Sequence, residues 1–156
     1  MSKIKVERQD IIEAFESINP GIIYFLNRDS GEVIKVAEDF CPDETVSGID
    51  YFSDPQYIRI PKISDKEGQR IREEYLTRIK NEALYDKLEQ TLLKRGSLKR
   101  FVDILRIYPA YYKDWTDFKN QEIIKIVMTW ISELDFELDL VTFPSLDDMI
   151  GEEKEI

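Results

Sequence analysis

The chain has 156 residues, of which 42% are hydrophobic and 35% are charged, and its formal net charge is −10. These proportions are typical of a folded domain rather than of a disordered chain. The sequence contains no histidine and a single cysteine, Cys41, which excludes Ser-His-Asp triads, Cys-His dyads, His-containing zinc sites and an internal disulfide.

Residues 8–18 are predicted to form a short amphipathic helix. Asp10 stands at the position of an N-cap, and Glu13 follows at the capping-box position. Apolar residues then recur at intervals of three and four, which is the helical period. They are Ile11, Ala14, Phe15 and Ile18. The sequence Asn-Pro-Gly at 19–21 ends the helix.

A β-hairpin is predicted next, with strands at 22–26 and 32–38. Both segments are rich in β-branched residues, and the first adds aromatic ones. The connection at 27–31 ends in Gly31, which adopts a positive φ at little cost. Residues 39–55 read as a long surface loop, and 57–60 as a third strand closed by Pro61.

The rest of the chain has the periodicity of helices. Ser64 and Glu67 form a capping box that opens a helix running to about residue 80. Asn81 caps the next helix, and Gly96 ends it before a helix opened by Ser97.

Pro109 is predicted to interrupt the helical pattern after that helix. The aromatic residues that follow it then fall in a connection, and a last helix carries a continuous apolar face. That face consists of Ile123, Ile126, Val127, Trp130, Ile131 and Leu134.

We therefore predict an α+β fold: an N-terminal helix, a hairpin with a third short antiparallel strand, a bundle of about four helices and an acidic C-terminal arm. Residues 1–136 form a single domain, and 137–156 form an acidic extension, either docked or disordered. Residues 138–143 of that extension add a strand or pack as an extended arm. No apolar run approaches the ~20 residues of a membrane span, and the first residues lack a signal-peptide core, so we expect a cytoplasmic protein without membrane contact.

Three segments resemble a known family. Residues 25–33 read Phe-Leu-Asn-Arg-Asp-Ser-Gly-Glu-Val, residues 57–61 form a short strand ending in Ile-Pro, and residues 96–101 read Gly-Ser-Leu-Lys-Arg-Phe. With the aromatic positions Trp115, Phe118 and Trp130, this order resembles the bacterial uncharacterised protein family 0158 over roughly residues 8–136. The resemblance supports the α+β fold and implies no activity.

The sequence departs from the family pattern at two places. Asn27 stands where the hairpin motif has aspartate, which argues against chemistry by a hairpin carboxylate. Ser97 and Leu98 stand where the family has Ala-Phe, a change of side-chain volume at a helix start.

Charge is distributed unevenly and defines a basic helix, residues 94–106. The net charge is −7 over residues 1–58, +5 over 59–106, −1 over 107–134 and −7 over 135–156. Basic residues beside aromatic ones are typical of single-stranded nucleic-acid sites, where charges contact phosphates and rings stack on bases. The alternative is that the rings are core and the charges are a solvated helix face.

The candidate partner-binding residues of this region are Lys94, Arg95, Lys99, Arg100, Tyr111, Tyr112 and Trp115, with Arg106 and Tyr108 beside them.

The acidic C-terminal segment, residues 135–156, is the second candidate. Asp135, Glu137 and Asp139 alternate with apolar residues, and further acidic residues follow at 147–155. One interpretation is docking onto a basic protein; others are masking of the basic helix or a solubilising tail.

Metal and thiol chemistry find little support. Asn27, Asp29 and Gly31 echo a calcium loop, but the later acidic ligands are missing, and a turn explains the pattern. Carboxylate pairs such as Asp43-Glu44 and Asp147-Asp148 are adjacent in sequence on predicted loops, and nothing marks them above background as magnesium ligands. The acidic neighbours of Cys41 raise a thiol pKa rather than producing a reactive thiolate.

We predict a non-enzymatic binding or regulatory domain that acts through protein–protein contacts, with its acidic surface as the interface. No catalytic, cofactor-binding or metal-binding residue is predicted, and no cofactor. One alternative is a nucleic-acid-associated protein that uses the basic helix. The other is a carboxylate-dependent hydrolase, which requires two acidic side chains facing each other in a buried cleft.

Overall fold

A computed structural model describes residues 3–38, 50–92 and 97–142, and these contain five strands and five helices. In chain order they are β1 (Ile4–Glu7), α1 (Arg8–Glu16), β2 (Ile22–Asn27), β3 (Val33–Ala37), β4 (Tyr57–Ile60), α2 (Asp65–Leu76), α3 (Glu82–Thr91), α4 (Ser97–Arg106), α5 (Pro109–Ser132) and β5 (Leu138–Val141). The fold is α+β, as predicted. The chain divides into two compact units: unit 1 is Met1–Lys62 with Trp130–Ile156, and unit 2 is Ile63–Thr129.

The predicted hairpin and third strand are confirmed in unit 1. β2 pairs antiparallel with β3 on one side and with β4 on the other, giving the order β3-β2-β4. Because successive side chains of a strand point to opposite faces, Tyr24 and Leu26 lie on one face and Ile23 and Phe25 on the other. All four are buried, so both faces of the central strand are covered.

The N-terminal helix begins where predicted, at Arg8, but it is not the first element. β1 precedes it and runs directly into α1, so Glu7 occupies the N-cap position, without a side-chain capping bond. The predicted capping role of Asp10 is therefore wrong, since Asp10 lies inside the first turn. The helix ends at Glu16, which leaves Ile18 beyond it and largely exposed.

A second sheet of unit 1 joins the two ends of the described chain. β1 pairs in parallel with β5, with Ile4 opposite Leu138 and Lys5 opposite Asp139. Leu138 is buried and Asp139 is exposed, the alternation of a strand with one packed face. Residues 143–156 lie outside the described ranges, and the predicted division into a domain of 1–136 and an extension stays a prediction.

The hairpin turn at 27–31 is held by hydrogen bonds to the side chain and the backbone of Asn27. Asn27 Oδ1 accepts hydrogen bonds from the amides of Asp29 (2.9 Å) and Ser30 (3.2 Å), and the Gly31 amide donates to the Asn27 carbonyl (2.9 Å). Gly31 has a φ of +79°, as the turn prediction required. The asparagine oxygen that suggested a calcium loop is thus engaged by backbone amides.

Lys62 ties the connection between α1 and β2 to the end of β4. Its ammonium group donates to the carbonyl of Asn19 (2.7 Å) and to that of Ile22 (2.6 Å). Both acceptors are backbone groups, and hydrogen bonds from a charged donor contribute more than neutral ones.

We expect Lys62→Met, which keeps most of the alkyl stem, to lower the free energy of unfolding by about 2 kcal/mol through loss of these two bonds. Urea denaturation measured by circular dichroism tests this result. The matched control is Lys66→Met on the exposed start of α2. Equal effects of the two substitutions would contradict the assignment.

Unit 2 is built from α2, α3, α4 and the first part of α5. Two of the predicted caps are confirmed: Ser64 Oγ accepts from the Glu67 amide (3.1 Å), and Asn81 Oδ1 accepts from the Leu84 amide (3.1 Å). α3 ends at Thr91, before the predicted Gly96, which lies outside the described ranges, and α4 begins at Ser97. α2 ends at Leu76, short of the predicted residue 80.

The helix break predicted at Pro109 lies just before it, at residues 107–108 between α4 and α5. Pro109 is the first residue of α5, a helix of 24 residues, instead of part of a connection. Proline is well tolerated there because its missing N–H has no intrahelical acceptor in the first turn. The aromatic residues at 111–118 therefore lie on a helix, and their rings are placed by helical spacing.

Candidate functional site

Part of the basic helix is described, from Ser97 to Arg106 in α4, whereas Lys94 and Arg95 lie outside the described ranges. Lys99 and Arg100 are exposed. Arg106 lies 3.9 Å from Asp103 and 5.9 Å from the centroid of the Tyr112 ring. The described part of this region therefore offers Lys99 and Arg100 to solvent as one short basic surface.

The aromatic candidates of the same region divide between interior and surface. Trp115 is 3% exposed, and its ring packs edge-on against Tyr75 (centroids 5.3 Å apart) and Phe101 (5.0 Å). Tyr111 and Tyr112 are half-buried. Because Trp115 is enclosed by core residues of unit 2, it has no free face on which a base could stack, in line with the core interpretation of the rings.

The buried carboxylate of unit 2, Glu122, is neutralised by cations. Its side chain is 10% exposed, and its oxygens lie 3.0 Å from Lys125 Nζ and 3.6 Å from an Arg70 nitrogen. Arg70 also contacts Glu74 (2.8 Å) and Glu67 (3.1 Å), and the hydrogen bonds that its guanidinium donates to Glu74 and then to Glu67 raise the pKa of the guanidinium. This is an ion-pair network with paired charges, unlike a pair of facing carboxylates that shares one proton.

The first residues of the acidic C-terminal segment are built into unit 1. Arg28 forms an ion pair with Asp135 (3.0 Å) and lies over the Phe136 ring (5.0 Å from its centroid). Asp135, Glu137 and Asp139 are exposed. The alternation read from the sequence thus places the carboxylates of the described part of the segment in solvent.

An open groove of about 570 Å³ lies beside the hairpin turn and β1. Lys5, Glu7, Asp10 and Glu32 line it, together with turn residues 30 and 31 and the first residue of β3. The pKa of the Asp10 carboxyl is raised, chiefly by partial desolvation and further by the carboxylates of Glu7 and Glu13. Asp10 is nevertheless exposed, so the groove adds to the acidic surface and is not a buried acid–base pair.

A cluster of rings that the sequence analysis did not single out lies on the face of the three-stranded sheet that carries Ile23 and Phe25. Phe52 is 47% exposed, and its ring packs edge-on against buried Phe25 (centroids 5.2 Å apart). Tyr51 stacks on Phe25 (6.0 Å) and contacts Tyr57 edge-on (4.8 Å). One signal was present: two aromatic residues between Asp50 and Asp54, in a stretch otherwise read as loop.

Carboxylates occur in the same loop and act on one of these rings. The pKa of the Tyr57 phenol is raised, first by partial desolvation, then by Tyr51 and by the charges of Asp54 and Glu32. Asp50 Oδ1 accepts the Phe52 amide (3.2 Å), and Asp54 Oδ1 accepts the Gln56 amide (2.9 Å). We call the rings of Tyr51, Phe52 and Tyr57 with the carboxylates of Glu32, Asp50 and Asp54 the aromatic–acidic patch.

Comparison with known protein families gives a match. The model of an uncharacterised protein family, UPF0158, matches residues 1–148. The chain belongs to this family. No curated protein and no solved structure matches it.

The hairpin motif that carries the resemblance has a structural explanation in this UPF0158 member. Asn27 closes the turn, and Gly31 supplies the positive φ. An aspartate at position 27 offers the same acceptor oxygen, so the departure from the family pattern preserves the turn. Within 3–38, 50–92 and 97–142, no three His, Cys, Asp or Glu residues are grouped as metal ligands, and no helix in those ranges is long and apolar enough to cross a membrane.

Proposed function

We propose that the chain is a non-enzymatic protein-binding domain whose acidic unit 1 docks onto a basic protein. The supporting observation is the separation of charge between the two units. Unit 1 contains 21 acidic and 8 basic residues, a net charge of −13, whereas unit 2 contains 11 acidic and 14 basic residues, a net charge of +3. Such a field orients and accelerates the approach of a cationic partner.

The exposed acids of the described part of unit 1 come from several elements. Glu13 lies on α1, Asp29 on the hairpin turn, Glu38 after β3 and Glu137 before β5. Their spread over unit 1 favours a partner of macromolecular size, because a small cation would contact one of them at a time. The contribution of each exposed ion pair is about 0.2–1 kcal/mol, so affinity arises from several pairs together.

The test reverses two of these charges. We expect Glu13→Lys with Glu137→Lys to weaken binding of a labelled (Gly-Lys)5 peptide by about tenfold, since several ion pairs of about 0.2–1 kcal/mol are lost or inverted. Fluorescence anisotropy at low and high salt measures the effect, and binding by the native chain should weaken as salt rises. The native chain, this variant and the control variant described next then serve as baits in a nuclease-treated pull-down from the host.

The matched control reverses two charges in unit 2, by Lys99→Glu with Arg100→Glu. This variant should keep the peptide and the proteins captured by the native chain. If the peptide bound all three proteins equally, docking through unit 1 would be wrong.

A nucleic-acid-associated role remains the second proposal, favoured by the exposure of Lys99 and Arg100 on α4. The same pull-down distinguishes this role from protein docking, because nuclease would release proteins that are captured through nucleic acid. The Lys99→Glu with Arg100→Glu variant would also lose RNA binding in a gel-shift assay, whereas the unit 1 variant would retain it.

The hydrolase alternative gains no support from the described residues. It needs burial and a raised carboxyl pKa at one site, with a second carboxylate facing it. Glu122 is buried but ion-paired, and Asp10 has the raised pKa but is exposed.

A further inference from the structure

We infer that the aromatic–acidic patch is the place where unit 1 binds an arginine side chain of an extended basic segment in its partner. This inference rests on the proposed function and names the recognition site within it. Three observations support it: the exposure of one ring, the way that ring is held, and the charges around it.

The first observation is the exposure of Phe52. The ring is 47% exposed although it makes an edge-to-face contact with buried Phe25 at 5.2 Å between centroids. Tyr51 and Tyr57, which adjoin the same cluster, are half-buried. An aromatic cluster that is packed on one side and open on the other presents π-electron density to solvent.

The second observation is that hydrogen bonds hold the backbone of the loop that carries the ring. The Phe52 amide donates to Asp50 Oδ1 (3.2 Å), and the Asp54 amide donates to the Asp50 carbonyl (3.0 Å), closing one helical turn around Phe52. The Arg28 amide donates to the Gln56 carbonyl (2.9 Å), which joins the end of this loop to the hairpin. A preorganised ring loses little entropy when a ligand settles on it.

The third observation is the sign of the surrounding charge. The carboxylates of Asp54 and Glu32 act on the Tyr57 phenol, and Asp50 lies in the turn that carries Phe52. Rings bordered by carboxylates suit a cation that is attracted by the charges and stacks on a face. Arginine fits better than lysine, because its guanidinium is planar, more weakly hydrated, and able to stack and donate to a carboxylate together.

One residue on the same face opposes such a ligand. Arg59 pairs in register with Phe25 and lies two residues from Tyr57, so its side chain projects to the same side of the sheet. It is exposed. Removing its charge should therefore strengthen binding, which gives the test a variant with the opposite expected sign.

The experiment compares (Gly-Arg)5 and (Gly-Lys)5 peptides, which carry equal charge, by fluorescence anisotropy on the full chain. The native chain should bind the arginine peptide several-fold more tightly. Phe52→Leu, which keeps an apolar side chain but removes the π face, should weaken the arginine peptide about three- to fivefold and the lysine peptide less. Arg59→Gln should strengthen both. Amide shifts in ¹⁵N–¹H spectra should concentrate at residues 50–59.

Three outcomes would overturn the inference. Equal affinity for the two peptides in the native chain and in Phe52→Leu would leave docking by charge alone, so that the proposed function stands and this site falls. Failure of both peptides to bind would remove both proposals. Self-association that depends on Phe52, seen by sedimentation velocity without peptide, would assign the patch to a second copy of the chain.

Discussion

Replacing Gly31 by alanine should lower the free energy of unfolding by about 3 kcal/mol or more. Gly31 has a φ of +79°, a conformation that costs an L-residue with a Cβ about 1–2 kcal/mol. A Cβ built at this position would also lie 2.2 Å from the backbone carbonyl oxygen of Lys5 and 3.0 Å from a side-chain carbon of Ile4. Since a backbone oxygen cannot rotate away, β1 and the turn must separate.

The measurement is urea denaturation, with amide hydrogen exchange to locate the damage. We expect faster exchange at residues 4–7 and 138–141, because these strands pair with each other and β1 contacts the turn. The matched control is Gly68→Ala in α2, where the new Cβ meets Arg72 Nη1 at an ordinary 3.5 Å. That control should stabilise the chain by about 0.5–1 kcal/mol. A loss below 1 kcal/mol for Gly31→Ala would contradict the close-packing argument.

The strands around Gly31 show which parts of unit 1 could be predicted from the sequence and which could not. The hairpin, its turn and the third strand were predictable because their signals are local: β-branched strands, a turn ending in glycine, and a proline after Ile60. The pairing of β1 with β5 was not, because Ile4 and Leu138 lie at opposite ends of the described chain. The alternation Ile-Lys-Val-Glu at 4–7 is typical of a strand, but it was overlooked because α1 follows it directly without a turn residue.

Helix boundaries show a second limit of the sequence analysis. Ser64 and Asn81 were identified correctly as caps because each offers a side-chain acceptor three residues before the amide that it binds. Pro109 was misplaced because a proline ends one helix and opens the next with equal ease. The choice between these depends on whether the following rings have a core to enter, and in unit 2 they pack against α2 and α4.

The charge of the proposed binding site could be predicted from the sequence, but its geometry could not. The acidity of the chain is a property of composition, and its concentration in unit 1 follows once the unit boundaries are known. The aromatic–acidic patch depends on tertiary packing, since its rings come from a loop and from β4 and pack on Phe25 of β2. Conversely, the spacing of Trp115 does not reveal that its ring is enclosed by Tyr75 and Phe101, and its partner-binding role stays a prediction.

Tyr75 should be the residue whose truncation damages unit 2 most. Its side chain is 0% exposed, its ring contacts Trp115 and Phe118 (centroids 5.3 and 5.6 Å away), and its hydroxyl donates to the Tyr111 carbonyl (2.9 Å). Tyr75→Ala removes a whole buried ring, so we expect a loss of about 3–5 kcal/mol in the free energy of unfolding. Tyr75→Phe removes only the hydroxyl and should lose about 1 kcal/mol. Equal losses for the two variants would contradict this division between ring packing and hydrogen bond.

The phenol of Tyr75 also predicts how stability depends on alkaline pH. Its pKa is raised above the ordinary value of 10.0, chiefly by burial and further by the Asp114 carboxylate. A raised pKa means that the fold holds the proton more tightly, so the stabilisation is complete below pH 10 and declines as pH rises above it. Urea midpoints of Tyr75→Phe should therefore change less between pH 9 and about pH 11 than those of the native chain. The control is Tyr85→Phe, which removes a phenol whose pKa is raised mainly by a hydrogen bond with Glu89. If Tyr85→Phe reduced the change of the urea midpoint with pH as much as Tyr75→Phe does, burial of Tyr75 would not be the cause of the loss of stability at alkaline pH.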